Sequence, residues 1–201
     1  MDIRDQFNNS IDVATVERPE QDLVKQYIKE NDIVFELGAR YGSVSCAINS
    51  KLNCKTNQVS VEPDERVWNA LERNKVANNC HFHIVKGFVS EKKLGLTNLD
   101  DCMGGYGATF IEQDSNIPSY TMAEINNKYK LKFNALVADC EGFLERFFDE
   151  NPNFYNDLRI IIFEADYSNK CNYGKIRNRL RENGFSEKLH GHQNVWIKNG
   201  S

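Results

Sequence analysis

The stretch that decides the fold is residues 33–42, IVFELGARYG. Its first five residues, 33–37, are mostly apolar and predict a buried strand, after which Gly38 and Gly42 bracket a tight turn into a helix. A dinucleotide-binding loop carries another glycine where the diphosphate approaches the backbone, and this chain has Arg40 at that position. The spacing therefore favours a ligand with a nucleoside and an amino acid but no diphosphate. The alternative is a tight turn without a ligand.

Strands and helices alternate on both sides of this stretch. The predicted strands are 33–37, 59–62, 82–85, 134–138 and 159–164, the predicted helices are 19–30, 43–52, 64–78, 121–128, 142–150 and 174–183, and the segments 185–190 and 194–198 form a closing hairpin. This order predicts an α/β fold in which helices cover both faces of a mostly parallel sheet. Ligands of such sheets bind beyond the carboxyl ends of the strands, where the strand order reverses.

The second predicted strand ends at an acidic residue. Glu62, followed by Pro63, comes 24 residues after Gly38. An acidic side chain at this place can accept both hydroxyl hydrogens of a ribose. The alternative role, capping the following helix, is assigned to Asp64 instead. Together with the glycine turn, Glu62 predicts a nucleoside ligand.

The stretch 86–118 breaks the alternation of strands and helices. It contains one weak predicted strand over 108–112 and the glycines Gly87, Gly95, Gly104, Gly105 and Gly107. A long irregular stretch inside a compact domain is usually functional or mobile, and we expect it to shape an acceptor pocket. At its start, Phe88 and Val89 form an apolar shelf suited to an adenine ring, although core packing explains these two residues equally well.

Four carboxyl groups follow two neighbouring predicted strands. Asp139 and Glu141 come after the fourth strand, and Glu164 and Asp166 come at the end of the fifth. Asp139 has an alternative role as the cap of the next helix, but four carboxyl groups are more than caps require. Such groups could accept a proton or hold a hard divalent cation.

Composition and charge exclude several classes of protein. The chain has 201 residues, with 25 Lys and Arg against 29 Asp and Glu and a formal net charge of −4, which argues against general binding to nucleic-acid phosphates. The longest aliphatic run, 160–163, is far shorter than the roughly 20 apolar residues of a membrane-spanning helix, and the N-terminus has no signal-peptide pattern. Six cysteines without finger-like spacing predict reduced thiols rather than a zinc site. We therefore expect a cytoplasmic protein of one domain, which could equally be part of a longer chain.

These segments together resemble the FkbM-type family of S-adenosylmethionine-dependent methyltransferases, within the class I superfamily. The matching segments, in family order, are VFELGARYGSVSC, VSVEPDERVWNALERN, HIVKGFVS, FNALVADCEGFLERFF and IIIFEAD, and the tail NGFSEKLHGHQNVWIK resembles the closing hairpin. The resemblance implies a class I methyltransferase fold with a mostly parallel seven-stranded sheet. It also implies a methyltransferase domain over 33–201, preceded by an N-terminal helical extension over 1–32. Within the family-specific Asp-x-Glu-Gly motif and just after it, Cys140 and Phe143 depart from the usual residues.

The resemblance also implies which residues bind S-adenosylmethionine. The residues that would line its methionine half are Glu36, Gly38, Ala39, Tyr41 and Gly42. Glu62 and Pro63 would take the ribose. The residues that would border the adenine are Gly87, Phe88 and Val89.

Members of this family mostly methylate hydroxyl groups, so the resemblance implies an O-methyltransferase whose acceptor is a small molecule or a glycan, for example a deoxyhexose such as rhamnose. An alcohol must lose its proton as it attacks, and Asp139 is the first candidate base, with Glu141 and Glu164 beside it. His190 and His192 are the second candidates. Some relatives hold Mg²⁺ with carboxylates at these strand ends, where Asp139 and Glu164 lie. The sequence leaves the metal, the acceptor and the oligomeric state open.

Two other functions are less favoured. Nucleic-acid methylation would need a basic surface, and the basic cluster of residues 174–183 is predicted to be an ordinary solvated helix face. Methyltransferases of adenine amino groups also typically carry a Pro-Pro-Tyr type loop after the fourth strand, where this chain has DCEG at 139–142. A non-catalytic interaction module is disfavoured because the chain retains Gly38, Gly42, Glu62 and Asp139.

Overall fold

The computed structural model describes residues 1–97 and 108–200. Its helices are α1 (Arg18–Tyr27), α2 (Ser43–Lys51), α3 (Trp68–Ala77), α4 (Met122–Tyr129), α5 (Leu144–Glu150) and α6 (Tyr173–Glu182). Its strands are β1 (Val34–Leu37), β2 (Gln58–Glu62), β3 (His83–Lys86), β4 (Phe88–Val89), β5 (Leu94–Thr97), β6 (Thr109–Glu112), β7 (Ser119–Tyr120), β8 (Ala135–Ala138), β9 (Ile160–Glu164), β10 (Phe185–Leu189) and β11 (Gln193–Lys198).

Seven strands form the central sheet, in the order β10-β11-β9-β8-β1-β2-β3. The strands β1, β2, β3, β8 and β9 are parallel, and β11 runs antiparallel to both of its neighbours. The predicted α/β fold, with its mostly parallel sheet and antiparallel C-terminal hairpin, is confirmed. Chain order reverses at β1, because β2 lies on one side of it and β8 on the other. A ligand crevice is expected beyond the carboxyl ends of β1 and its two neighbours, β2 and β8.

Alternating side chains of the strands pack against helices on both faces of the sheet. On β1, Phe35 and Leu37 belong to the cluster that includes residues of α4, α5 and α6, whereas Val34 belongs to the cluster with residues of α1 and α2. This alternation follows from the two-residue period of a strand. It directs Glu36 to the face of α2, where its carboxylate accepts a hydrogen bond from the Ser60 hydroxyl at 2.5 Å.

The stretch predicted to be irregular contains two small sheets. The predicted weak strand is present as β6, and it pairs antiparallel with β5, while β4 pairs with β7. Gly87 permits the second pairing, because its φ is +144° and an added Cβ would lie 2.2 Å from the Pro118 carbonyl oxygen. Gly104, Gly105 and Gly107, and with them Cys102, lie outside the described residues. The five cysteines that are described are free thiols.

The N-terminal residues pack against the helical layer of the sheet domain. Ile3 is buried, and the side chains of Asn74 and Asn78 on or beside α3 bond to the backbone of Asp2 and Arg4. The helix α1 begins at Arg18 and packs against α2. No helix within residues 1–97 and 108–200 combines the length and the apolar character needed to cross a bilayer.

A buried ion pair joins the connection between α1 and β1 to the start of β9. The Arg159 guanidinium donates from Nε to Asp32 Oδ1 at 2.6 Å, forms a second bond to the same carboxylate, and donates to the Tyr27 carbonyl at 3.0 Å. The Asp32 side chain is 2% exposed.

Replacing Arg159 with methionine is expected to lower the free energy of unfolding by about 3 kcal/mol, because the variant leaves a buried carboxylate without its charged partner. Urea unfolding followed by circular dichroism measures the loss. Lys132→Met is the control, since Lys132 pairs with Asp157 on the surface and such pairs contribute about 1 kcal/mol or less. Equal losses in the two variants would contradict the assignment.

Candidate functional site

A cavity of about 720 Å³, counting the part open to solvent, lies at the carboxyl ends of β1, β2 and β8. Its polar lining residues are Glu17, Arg40, Glu62, Asp64, Asp139, Cys140 and Glu141. Its apolar lining and glycine residues are Leu37, Gly38, Val61, Pro63, Gly87, Phe88, Val89, Leu96, Ala108, Phe110 and Phe143.

The floor of the cavity is the turn that starts at Gly38. The N–H groups of Gly38 and Ala39 both donate to the Val61 carbonyl at 3.0 Å, so the turn folds over the end of β2. On the other side, an added Cβ at position 38 would lie 1.6 Å from the Asp139 carbonyl oxygen, and the φ of Gly38 is +86°. The turn is therefore in direct backbone contact with the carboxyl ends of both β2 and β8. Only glycine meets both requirements without displacement.

Glu62 is a buried carboxylate at the end of β2. One of its oxygens accepts the Arg40 N–H and the other accepts the Asp64 N–H, both at 2.7 Å. Each carboxylate oxygen has a second lone pair, so Glu62 can also accept one hydrogen bond at each oxygen from a ligand. Burial raises the pKa of Glu62 to about 7. Ligand hydroxyl groups that donate to the Glu62 carboxylate would take the place of the water lost on burial, and they would favour its ionised form.

Asp64 forms ion pairs rather than capping α3. The predicted helix start at Asp64 is wrong, because α3 begins at Trp68 and its N-cap residue is Val67. The Asp64 carboxylate instead contacts the guanidinium of Arg40 at 3.1 Å and that of Arg66 at 2.7 Å. These two charges hold the pKa of Asp64 below its usual value against the effect of burial.

Three phenylalanine rings form an aromatic wall in the lining of the cavity. The Phe143 ring lies 5.3 Å from the Phe110 ring in an edge-to-face arrangement and 6.1 Å from the Phe88 ring. Leu96 on β5 and Phe110 on β6 reach this wall from the small antiparallel sheet. Apolar aromatic surfaces of this kind suit a heteroaromatic ring.

Three carboxyl groups meet at the ends of β8 and β9. Asp139, Glu164 and Asp166 each offer an oxygen, and these atoms all lie within 4.8 Å of one another. Burial, followed by the charge of Glu164, raises the pKa of Asp139 well above its usual value. Burial and the neighbouring Glu20 likewise raise the pKa of Glu164 to about 8. The group can therefore hold and accept protons near neutral pH.

The two predicted histidines have different partners. His192 Nε2 lies 2.7 Å from Glu164 Oε1 at the edge of the carboxyl group cluster, with its side chain 65% exposed. His190 Nδ1 lies 2.7 Å from Glu187 Oε1 on the closing hairpin. Of these two histidines, only His192 contacts a member of the carboxyl cluster. Glu141 lines the large cavity, in a left-handed backbone conformation with φ of 51°.

The structure separates the predicted donor-binding residues into three groups. Those that line the large cavity are Gly38, Glu62, Pro63, Gly87, Phe88 and Val89. Glu36 lines a second, smaller cavity beside it. The third group lines neither cavity and consists of Ala39, Tyr41 and Gly42. Ala39 and Tyr41 are core residues, and Gly42 packs under the Leu71 side chain.

Several lining residues were not predicted from the sequence. Glu17 comes from the N-terminal segment, and Leu96 and Phe110 come from the small sheet. Their positions depend on packing between segments far apart in the chain, for which the local sequence holds no signal. From the sequence, Arg40 was noted only because it occupies the position of a glycine in dinucleotide-binding loops. Its φ of +46° and its proximity to Asp64 bring its side chain to the cavity.

The basic residues of α6 are paired within the fold. Lys175 contacts Glu145 and Asp149, and Arg179 contacts Asp149. Arg177 donates to the Asn194 side-chain carbonyl, and Arg181 contacts Glu187. The nucleic-acid alternative gains no support from this helix, because its cations already have intramolecular partners.

Comparison with known proteins relates the chain to others by structure alone. No family model matches the chain, and no curated protein matches its sequence. A precorrin-6y C5,15-methyltransferase from Geobacter metallireducens is 13% identical with a TM-score of 0.54, and the match covers 90% of this chain and 85% of that one. A ribosomal protein L11 methylase from Lactobacillus delbrueckii subsp. bulgaricus is 16% identical with a TM-score of 0.51, covering 91% and 79%. A methyltransferase from Pyrococcus furiosus is 16% identical with a TM-score of 0.52, covering 92% and 83%. The chain thus has the Rossmann-like fold of the class I methyltransferases.

Proposed function

We propose that the chain binds S-adenosylmethionine and transfers its methyl group to a hydroxyl group of a small-molecule or glycan acceptor, as in FkbM-type enzymes. The observation that carries this proposal is the cavity at the strand-order reversal, where Glu62 and Asp139 lie on either side of the Gly38 turn. When bound, S-adenosylmethionine supplies an activated methyl group on a sulfonium centre. The residues of this chain bind the donor, exclude water and accept the acceptor's proton.

The lining residues fit the donor part by part. The free lone pairs of Glu62 match the two hydroxyl hydrogens of a ribose. The wall of Phe88, Phe110 and Phe143 matches a purine ring. The backbone of the Gly38 turn leaves no side chain between the ligand and the strand ends, which supports close approach of the donor to Asp139.

Asp139 is the candidate proton acceptor. Asp139 lines the donor cavity, and its carboxyl group lies beside those of Glu164 and Asp166, which would face an acceptor approaching from the ends of β8 and β9. A hydroxyl nucleophile at neutral pH requires such a base. The acceptor is proposed to be a sugar. A divalent cation such as Mg²⁺ would be held by Asp139 and Glu164, with Asp166 as the third oxygen ligand of the cluster.

Replacing Glu62 with glutamine is expected to weaken binding of S-adenosylhomocysteine about tenfold or more, since two hydrogen bonds to a charged acceptor are altered. Isothermal titration calorimetry measures the affinity, and circular dichroism checks the fold of the variant. Glu65→Gln, on the exposed neighbouring turn, serves as the control. Absence of binding to the wild-type chain at millimolar donor would overturn the proposed function.

The acceptor is tested separately with methyl-labelled donor. Incubation with a panel of saccharides and with RNA distinguishes the two classes of acceptor. Label in a saccharide methyl ether supports the proposal, whereas salt-sensitive labelling of RNA alone would favour the nucleic-acid alternative. Donor binding with no transfer to any acceptor would favour a non-catalytic module.

A further inference from the structure

The N-terminal segment places an unusual glutamate at the donor cavity. Glu17 precedes α1 and adopts a left-handed conformation, with φ of 51° and ψ of 26°. Glu17 lines both the large cavity and the smaller one, and the Ser43 hydroxyl at the start of α2 donates to its Oε2. The residue is therefore held at the boundary between the two cavities, beside Gly38.

This arrangement disfavours folding in the absence of a ligand. A left-handed conformation costs free energy for any residue with a Cβ, and Glu17 makes no side-chain cap to its own helix. Burial, together with the charges of the neighbouring carboxylates, raises the pKa of Glu17 to about 8. The charged and titratable groups that face it are Glu20 on α1, Glu36 on β1, Glu62 on β2, Asp139 after β8 and Arg40 in the turn.

A second residue of the same segment has an unsatisfied oxygen in the smaller cavity. Glu20 is 7% exposed, and its Oε1 accepts the Gln193 side-chain N–H. Its Oε2 is buried and accepts no hydrogen bond from any residue that the structure describes. Glu20 shares a side-chain hydrogen bond with Glu164, whose pKa it raises, so a protonated Glu164 can donate to the Glu20 carboxylate.

On the basis of the proposed function, we propose that Glu17 is a donor-binding residue whose carboxylate accepts hydrogen bonds from the α-ammonium group of S-adenosylmethionine. With its adenosine half at Glu62 and the aromatic wall, the donor would extend its amino-acid half past Gly38 toward Glu17, which lines the same cavity. Glu20 adds negative charge behind it. The N-terminal segment thus completes the donor site, and it selects a ligand that carries a cationic amine.

The test compares two ligands that differ in the amino-acid part. S-adenosylhomocysteine carries the α-ammonium, and 5′-methylthioadenosine shares the thioether nucleoside but lacks the amino acid. Calorimetry is run on the wild type, Glu17→Gln and the control Glu65→Gln. We expect Glu17→Gln to weaken the affinity for S-adenosylhomocysteine about tenfold, because one charge-assisted hydrogen bond is lost. The affinity for 5′-methylthioadenosine should change by no more than about twofold.

Each outcome decides between the two proposals. Equal losses for both ligands in Glu17→Gln, or no loss for either, would overturn the role of Glu17 and leave the proposed function standing. If the wild type binds neither ligand, both proposals fail. A selective loss of S-adenosylhomocysteine affinity in the Glu65→Gln control would also overturn the assignment, because it would show a long-range charge effect.

Proton release gives an independent readout. An ammonium group favours the ionised form of Glu17, so donor binding at pH 7.5 should release protons, measured by calorimetry in buffers of different ionisation enthalpy. Glu17→Gln should release fewer. Its ligand-free form should melt at a higher temperature than the wild type at pH 8, because a raised folded-state pKa makes the wild type lose stability as the pH rises from about 4.5 to about 8. Unchanged proton release would contradict the proposal.

Discussion

Replacing Gly38 with alanine is expected to abolish donor binding and to lower the free energy of unfolding by about 4 kcal/mol or more, a loss of the size seen when a core contact is broken. The new Cβ would lie 1.6 Å from the Asp139 carbonyl oxygen and 2.7 Å from its carbonyl carbon. These are backbone atoms, so no side-chain rotation relieves the clash. The ends of β1 and β8 must separate, and the bond from the Asp139 N–H to the Leu37 carbonyl would be strained.

The matched control for this variant is Gly184→Ala. Gly184 has a φ of +80°, close to the +86° of Gly38, but an added Cβ there meets nothing within 4 Å. This variant therefore bears only the left-handed backbone cost, about 1–2 kcal/mol. Urea unfolding and calorimetry with S-adenosylhomocysteine compare the two variants. Equal destabilisation, or retained donor binding in Gly38→Ala, would show that the turn does not need the close backbone approach.

Sequence patterns predicted the cavity-lining residues that belong to single strand ends. Gly38 and Glu62 could be predicted because each follows a recognisable apolar strand, and parallel strands bring their carboxyl ends to one edge. Tyr41 was predicted to contact the ligand as well; in the structure it is buried in a core cluster and lines neither cavity. A glycine-rich pattern gives the position of a turn but not the orientation of each residue in it.

The parts that the sequence did not reveal depend on contacts between distant segments. Glu17 lies 20 residues before Leu37, and the packing of α1 on α2 brings it to the cavity. Leu96 reaches the cavity because β5 pairs with β6, in a stretch where two short strands have little pattern of their own. Asp64 matched a helix cap by type, but two guanidinium groups compete for its carboxylate. Tertiary interactions determine all three positions.

Replacing Asp139 with asparagine is expected to reduce methyl transfer by about 10²- to 10⁴-fold, the usual contribution of a general base. Donor affinity should stay within about threefold, because asparagine preserves the shape of the side chain and the Gly38 contact uses the backbone of residue 139. The acceptor identified with labelled donor is used to measure kcat, and calorimetry measures donor binding. Full turnover with normal donor binding would rule out Asp139 as the base.

The pH profile separates a base from a residue that only shapes the site. Because the pKa of Asp139 is raised by burial and by the charges of Glu164 and Asp166, the base is protonated at low pH, and the wild-type rate should increase with rising pH. Asp166→Asn removes one of these charges and should move that increase to lower pH. The coupled carboxyl groups titrate with apparent values that belong to the cluster, so the direction of the shift is the diagnostic quantity. A profile that Asp166→Asn leaves unmoved would indicate that the titrating group lies outside the carboxyl cluster, and the proton would then have to leave by another route.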